Sequence, residues 1–138
     1  MTSITISADY DHLSLAYDLV EAQAIKLGLN ERDVYDIKLA TDEAVTNIIR
    51  HGYRDNAGKV HIDVEQVGDA LAIILTDYGR LFDPTQKESP DLTVPLNKRK
   101  KGGMGVFLMK KNMDILNYQV TEEGANKLTM IKLLNKKG

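Results

Sequence analysis

The chain has 138 residues, 43% of them hydrophobic, enough to bury one core and to make a single domain, residues 1–138, the natural count. With 18 lysines and arginines against 20 aspartates and glutamates the formal charge is −2, which offers no global attraction to nucleic acid or to an anionic membrane. Zero cysteines exclude a disulfide framework and a thiolate metal site, no apolar run approaches about 18 residues, and the opening MTSITISADYDHLSL lacks a basic segment or cleavage site, so a soluble cytoplasmic protein is expected.

Ser3 to Ser7 alternates polar and apolar residues around Ile4 and Ile6 and reads as a short strand with one buried face. Asp9 or Asp11 is placed to cap a helix whose apolar stripe is Leu13, Ala16, Tyr17, Val20, Ala24 and Leu27, with Gly28 ending it. Asn30 opens a second helix, with Asp33 completing a shortened capping box. That helix is expected to run to about His51 and to stop at Gly52 in the left-handed conformation. Its stripe is Val34, Ile37, Ala44, Val45, Ile48 and Ile49, and Glu43 and Asn47 border it, one helical turn apart on one face.

Lys59 to Val67 and Ala70 to Thr76 form a hairpin pattern across Gly68-Asp69. From Pro84 to Lys101 the three prolines and the absence of any period predict an irregular lid-like loop. Gly102-Gly103-Met104-Gly105 then opens a helix bearing Val106, Met109, Lys110 and Met113. Two last strands, near Ile115 to Thr121 and Lys127 to Leu134, meet across Glu123-Gly124. Helices early and hairpins late predict an α+β fold: a two-layer α/β sandwich with a mixed, mostly antiparallel sheet covered by helices on one face.

Three segments carry candidate chemistry. On a helix, Glu43 and Asn47 bring a carboxylate and an amide oxygen toward one ligand, although a solvated pair has the same spacing. Asp77 lies at a strand end, where a carboxylate can accept a hydrogen bond from an exocyclic amine, and Gly79 lets a flat ring approach the backbone. A strand-ending turn is the alternative there. Lys98, Arg99, Lys100 and Lys101 lead directly into Gly102 to Gly105 at a helix start, where free amides and the positive helix end favour phosphate. A hinge beside a solvated charge run would look the same, and the segment is neither a Walker A loop nor GxGxxG.

In order and spacing, EAVTNIIRHGY, DYGRLFDP and GGMG resemble the N, G1 and G2 boxes of the GHKL (HATPase_c, Bergerat) ATP-binding fold shared by histidine kinases, gyrase, MutL and heat-shock chaperone ATPases. EAVTN with HGY, and GGMG followed by VFLMKKNMD, is similar in particular to the anti-sigma factor serine kinases of the RsbW and SpoIIAB kind. That resemblance implies ATP and Mg2+ as cofactors. It implies Glu43 as the general base toward a serine or threonine hydroxyl, and Asn47 as the protein's magnesium ligand. It further implies Asp77 as the reader of the adenine amine, Gly79 as room for the ring, and Gly102, Gly103, Met104 and Gly105 as the phosphate loop. Lys101 stands where relatives carry an arginine directed at the γ-phosphate, with Arg99 as the other lid cation able to serve. Arg80-Leu81 replaces the second glycine of the common DxGxG pattern.

The implied partners are a STAS-type anti-anti-sigma protein as substrate, a sigma factor held by partner switching, and a second copy in a homodimer, with no nucleic acid or membrane. His51, Gly52 and Tyr53 match the family pattern and are read as structural; His12 and His61 have no metal-ligand spacing. Two other functions stay open: a nucleotide-dependent regulatory module without phosphotransfer, and a histidine-kinase-like ATPase domain. The single-domain length and the EAVTN and HGY motifs weigh against the second.

Overall fold

A computed structural model describes residues 1–86 and 109–134. The expected alternation produces five strands: β1 (Thr2–Ser7), β2 (Lys59–Val67), β3 (Ala70–Asp77), β4 (Ile115–Val120) and β5 (Asn126–Leu133). They form one sheet in the order β1-β2-β3-β5-β4. Every pairing is antiparallel, so among the described strands the sheet is not mixed. Hairpin connections account for this, because β2-β3 and β4-β5 reverse through tight turns with positive φ at Gly68 (57°) and Gly124 (84°).

Cross-strand register puts Ile4, Ile62, Leu75, Leu128 and Tyr118 in one row on one face of the sheet. Helices α1 (Leu13–Lys26) and α2 (Glu31–Asn47) cover that face. Their stripes meet it through Leu13, Ala16, Val20, Ala24, Ile37, Ala44 and Val45, all buried with Val60, Ile62, Ile73, Leu75 and Met130. The neighbouring row, Thr5, His61, Thr76, Lys127 and Gln119, faces away from the helices. A two-layer α+β sandwich results, as the order of elements predicts.

The caps follow the sequence with two differences. Asn30 accepts from Asp33 N–H at 2.8 Å and opens α2. Asp9 caps a 3-10 turn, Tyr10–His12, rather than α1 itself, accepting from His12 N–H at 3.0 Å. Gly28 takes φ +84° after α1, as a left-handed cap requires. Gly52 does not. Instead α2 widens after Asn47 into a π-helical turn, Ile48–Gly52, closed by Tyr53 N–H to Ile48 O at 2.9 Å, and the left-handed residues are Arg54 (φ 53°) and Asp55 (φ 62°). The cause is tertiary, since Gly52 is pressed against the chain leaving β3.

Of the lid, only Pro84–Gln86 is described, as a single 3-10 turn. Residues 109–112 are helical, consistent with the helix expected to follow the glycine segment.

Candidate functional site

Where α2, the end of β3 and the β4-β5 hairpin converge, an open cleft holds about 360 Å³ of space between atoms, part of it continuous with solvent. Ala44, Asn47, Ile48 and Gly52 line it from the helix, Asp77, Arg80, Phe82 and Pro84 from the segment after β3, and Tyr118, Asn126 and Leu128 from the hairpin. Its walls are apolar. Its polar groups are few, with Asn47, Asp77 and Asn126 buried, which is the usual make-up of a small-molecule site.

Asp77 is 3% exposed at the last position of β3. Its Oδ1 accepts from Gly79 N–H at 2.9 Å and from Asn126 Nδ2 at 3.1 Å. Burial pushes the carboxyl above the ordinary aspartate range, and those two hydrogen bonds oppose the rise. Asn47, 6% exposed, lines the same cleft, and its buried Nδ2 has no hydrogen-bond partner among the described residues. An orphaned buried amide N–H costs about 1–3 kcal/mol, which an acceptor atom of a ligand in the cleft would offset.

Glu43 sits one turn earlier on α2, half-buried, and does not line the cleft. Burial raises its carboxyl above the ordinary glutamate range, the neighbouring Asp42 raises it further, and Arg50 pulls it back. A carboxylate biased toward taking up a proton is what general-base work needs.

Gly79 has a packing reason besides the one its motif suggests. A Cβ there would lie 2.6 Å from the carbonyl carbon of Gly52, so the missing side chain makes room for the π-helical turn. The two segments are joined by Arg80 N–H to Gly52 O at 2.7 Å and by Arg80 Nε to His51 O at 3.3 Å. The ring of His51 stacks on Phe82 with centroids 5.0 Å apart. Tyr53 completes the junction, donating its hydroxyl proton to Lys59 O at 2.6 Å and accepting from Tyr78 N–H at 3.0 Å. The HGY motif thus fastens the end of α2 to β2 and to the DYG segment.

Arg99, Lys101, Gly102, Gly103, Met104 and Gly105 lie outside the described residues. Among the described residues no three His, Cys, Asp or Glu side chains gather to hold a metal. The sequence reading missed Asn126. Its signal was its phase, because Asn126 alternates with Leu128 and Met130 on the core-facing side of β5, where a polar residue needs a reason.

The model of the histidine kinase-like ATPase domain matches residues 6–132. The serine-protein kinase RsbW of Halalkalibacterium halodurans is 32% identical over 137 residues, covering 96% of this chain and 83% of that protein. The chain belongs to the RsbW-type serine-protein kinases of the histidine kinase-like ATPase family. RsbW of Bacillus licheniformis is 34% identical over 121 residues, covering 82% of this chain and 73% of that protein. A solved structure of the RsbU and RsbW domains of a Mycobacterium tuberculosis protein superposes with a TM-score of 0.62 at 15% identity, over 100% of this chain and 34% of that one. At that identity it speaks for the fold alone. No helix among the described residues is long and apolar enough to cross a membrane.

Proposed function

We propose that this RsbW-type chain is a cytoplasmic, single-domain protein kinase that transfers the γ-phosphoryl group of MgATP to a serine or threonine of a STAS-type anti-anti-sigma protein. In the same reading it holds a sigma factor, releases it by partner switching to regulate transcription, and works as a homodimer. The observation that carries the catalytic part is the convergence of buried Asn47 and Asp77 on one cleft, from elements 30 residues apart in sequence, in a chain of this family.

The residues present fit the cofactors. Asp77 offers carboxylate acceptor capacity to an exocyclic amine, and guanine, with a carbonyl in that place, would set acceptor against acceptor. Asn47 offers one amide oxygen, enough for a magnesium ion that keeps phosphate and water ligands besides. Bound MgATP supplies the phosphoryl group and the cation that offsets its charge. Glu43 accepts the proton of the attacking hydroxyl; that oxygen forms the new bond to the γ-phosphorus as the bond to the β-γ bridging oxygen breaks and ADP departs. Arg99 or Lys101, with the amides of Gly102 to Gly105, would meet the charge on the transferring group.

Incubating the protein with radiolabelled MgATP and each STAS-type protein of the same genome should label a serine or threonine of one such partner. Glu43→Gln should reduce labelling by about 10²-fold or more while ATP affinity stays within about twofold. A wild-type protein that binds ATP and labels no STAS partner would favour a regulatory nucleotide-binding module instead.

A further inference from the structure

Among the described residues, Asn126 makes more side-chain hydrogen bonds than any other group at the cleft, and none of the assigned chemistry uses it. It opens β5 directly opposite Asp77, with which it is paired across the β3-β5 ladder, and it is 5% exposed. Its Nδ2 donates to Asp77 Oδ1 at 3.1 Å and to Arg80 O at 3.0 Å, with Gly79 O at 3.5 Å. Its Oδ1 accepts from Phe82 N–H at 3.0 Å and from the Tyr118 hydroxyl at 2.5 Å. Both amide protons and both lone-pair directions are therefore engaged within the protein, and the side chain has no capacity left for a base.

The consequence falls on Asp77. Gly79 N–H and Asn126 Nδ2 together fill Oδ1, so the carboxylate is held in one rotation, with Oδ2 left as the oxygen able to accept from a ligand. The bonds to Gly79, Arg80 and Phe82 fix the chain that carries Arg80 and Phe82 into the cleft wall. We infer that Asn126 is a positioning residue for base selection: it orients the Asp77 carboxylate that distinguishes a 6-amino purine from a purine lacking that amine. This rests on the nucleotide-binding reading of the cleft and adds the residue that sets its selectivity.

The test compares affinity for ATP with affinity for purine riboside triphosphate, which lacks the 6-amino group, in wild type and in Asn126→Leu, with folding checked by circular dichroism. In wild type ATP should bind more tightly than the deaminated analogue. In Asn126→Leu that ratio should fall by about tenfold or more, toward equality, because the orienting donor to a charged acceptor is gone. If Asn126→Leu does not fold, Asn126→Ala removes both donors without adding bulk or charge, and the same collapse is expected. A second readout is the pH profile: the Asn126 variants should lose ATP affinity at a higher pH than wild type, since Asp77 is then stabilised as an anion by one donor fewer. A variant in which both affinities fall together, with the ratio and pH profile of wild type, overturns the inference and leaves Asn126 a purely structural residue. A wild-type protein that binds neither nucleotide overturns the nucleotide reading itself, and the inference with it.

Discussion

Replacing Gly79 with alanine separates two reasons for a glycine after Asp77. The added Cβ would lie 2.6 Å from the carbonyl carbon of Gly52, 2.8 Å from its oxygen and 2.9 Å from its Cα. All three are backbone atoms of the π-helical turn, so no side-chain rotation relieves the collision. The turn or the strand exit has to move, and the hydrogen bond from Arg80 N–H to Gly52 O is lost with it. Overpacking costs about 1–3 kcal/mol and a lost backbone hydrogen bond about 1 kcal/mol, so Gly79→Ala should destabilise by about 2–4 kcal/mol. For a chain of this length that is a fall in Tm on the order of 10 °C. At Gly52 the corresponding Cβ would be 3.3 Å from Asp77 Oδ1, a milder contact with a side chain, and Gly52→Ala should cost about 1 kcal/mol or less. Thermal and urea unfolding followed by circular dichroism, alongside ATP titration, reads both. A Gly79→Ala protein that melts within about 2 °C of wild type yet no longer binds ATP would refute the packing argument and restore the ring as the reason for the glycine.

Asn47→Ala removes an amide whose Nδ2 is buried without a partner, so unfolding stability should change little, while magnesium-dependent ATP affinity drops by about tenfold and metal-free affinity holds. Isothermal titration with and without Mg2+ decides it, and equal losses in both would count against the metal role. Because burial raises the Asp77 carboxyl, ATP affinity should weaken on acidification before an ordinary aspartate would titrate, as protonation removes the acceptor. Asp77→Asn should flatten that profile. Lys132 is buried on β5, with Nζ 2.7 Å from Asn112 O, 3.7 Å from Asp36 Oδ2 and 3.8 Å from Asp33 Oδ1. Lys132→Met should destabilise by about 2–4 kcal/mol in urea unfolding, because among the described residues it leaves buried Asp36 with only the exposed Arg32 for a partner; a loss under about 0.5 kcal/mol would mean that the cluster is solvated.

The strands and helices were legible because each is governed by local rules. Period-2 alternation fixed β2 from Lys59 to Val67, and the capping oxygen of Asn30 fixed the start of α2. The end of α2 was not legible, since local chemistry offered Gly52 as a left-handed cap and a contact 27 residues away in sequence decided otherwise. The same limit applied to the cleft. Asn47 and Asp77 could be named from motif and setting, whereas Asn126 and Tyr118 join them only through the β3-β5-β4 ladder order. Nothing local distinguishes those two from residues that merely pack, except that Asn126, like Lys132, is polar on the core-facing phase of β5. Polarity at a buried phase is a signal that a sequence does print, and it can be read before the partner strand is known.

The groups proposed to do chemistry are also those that the fold holds at a cost. Burial raises Glu43 and Asp77 above their ordinary ranges, so for each the folded state binds its proton more tightly than the unfolded state does. Their contribution to stability is therefore complete at low pH and is lost as pH rises through the raised values, the reverse of a salt-bridged carboxylate. In both, the ionised form is held against the preference of the surroundings, and the orphaned amide of Asn47 follows Glu43 by one turn on α2. Of the two, only Asp77 has its penalty reduced by dedicated donors, Gly79 N–H and Asn126 Nδ2, which favour its acceptor form. Glu43, opposed only by the charge of Arg50, is left poised to take up a proton. Two carboxyls raised by the same burial thus diverge in role according to whether hydrogen-bond donors reach them, and that difference separates a residue suited to reading a base from one suited to accepting a hydroxyl proton.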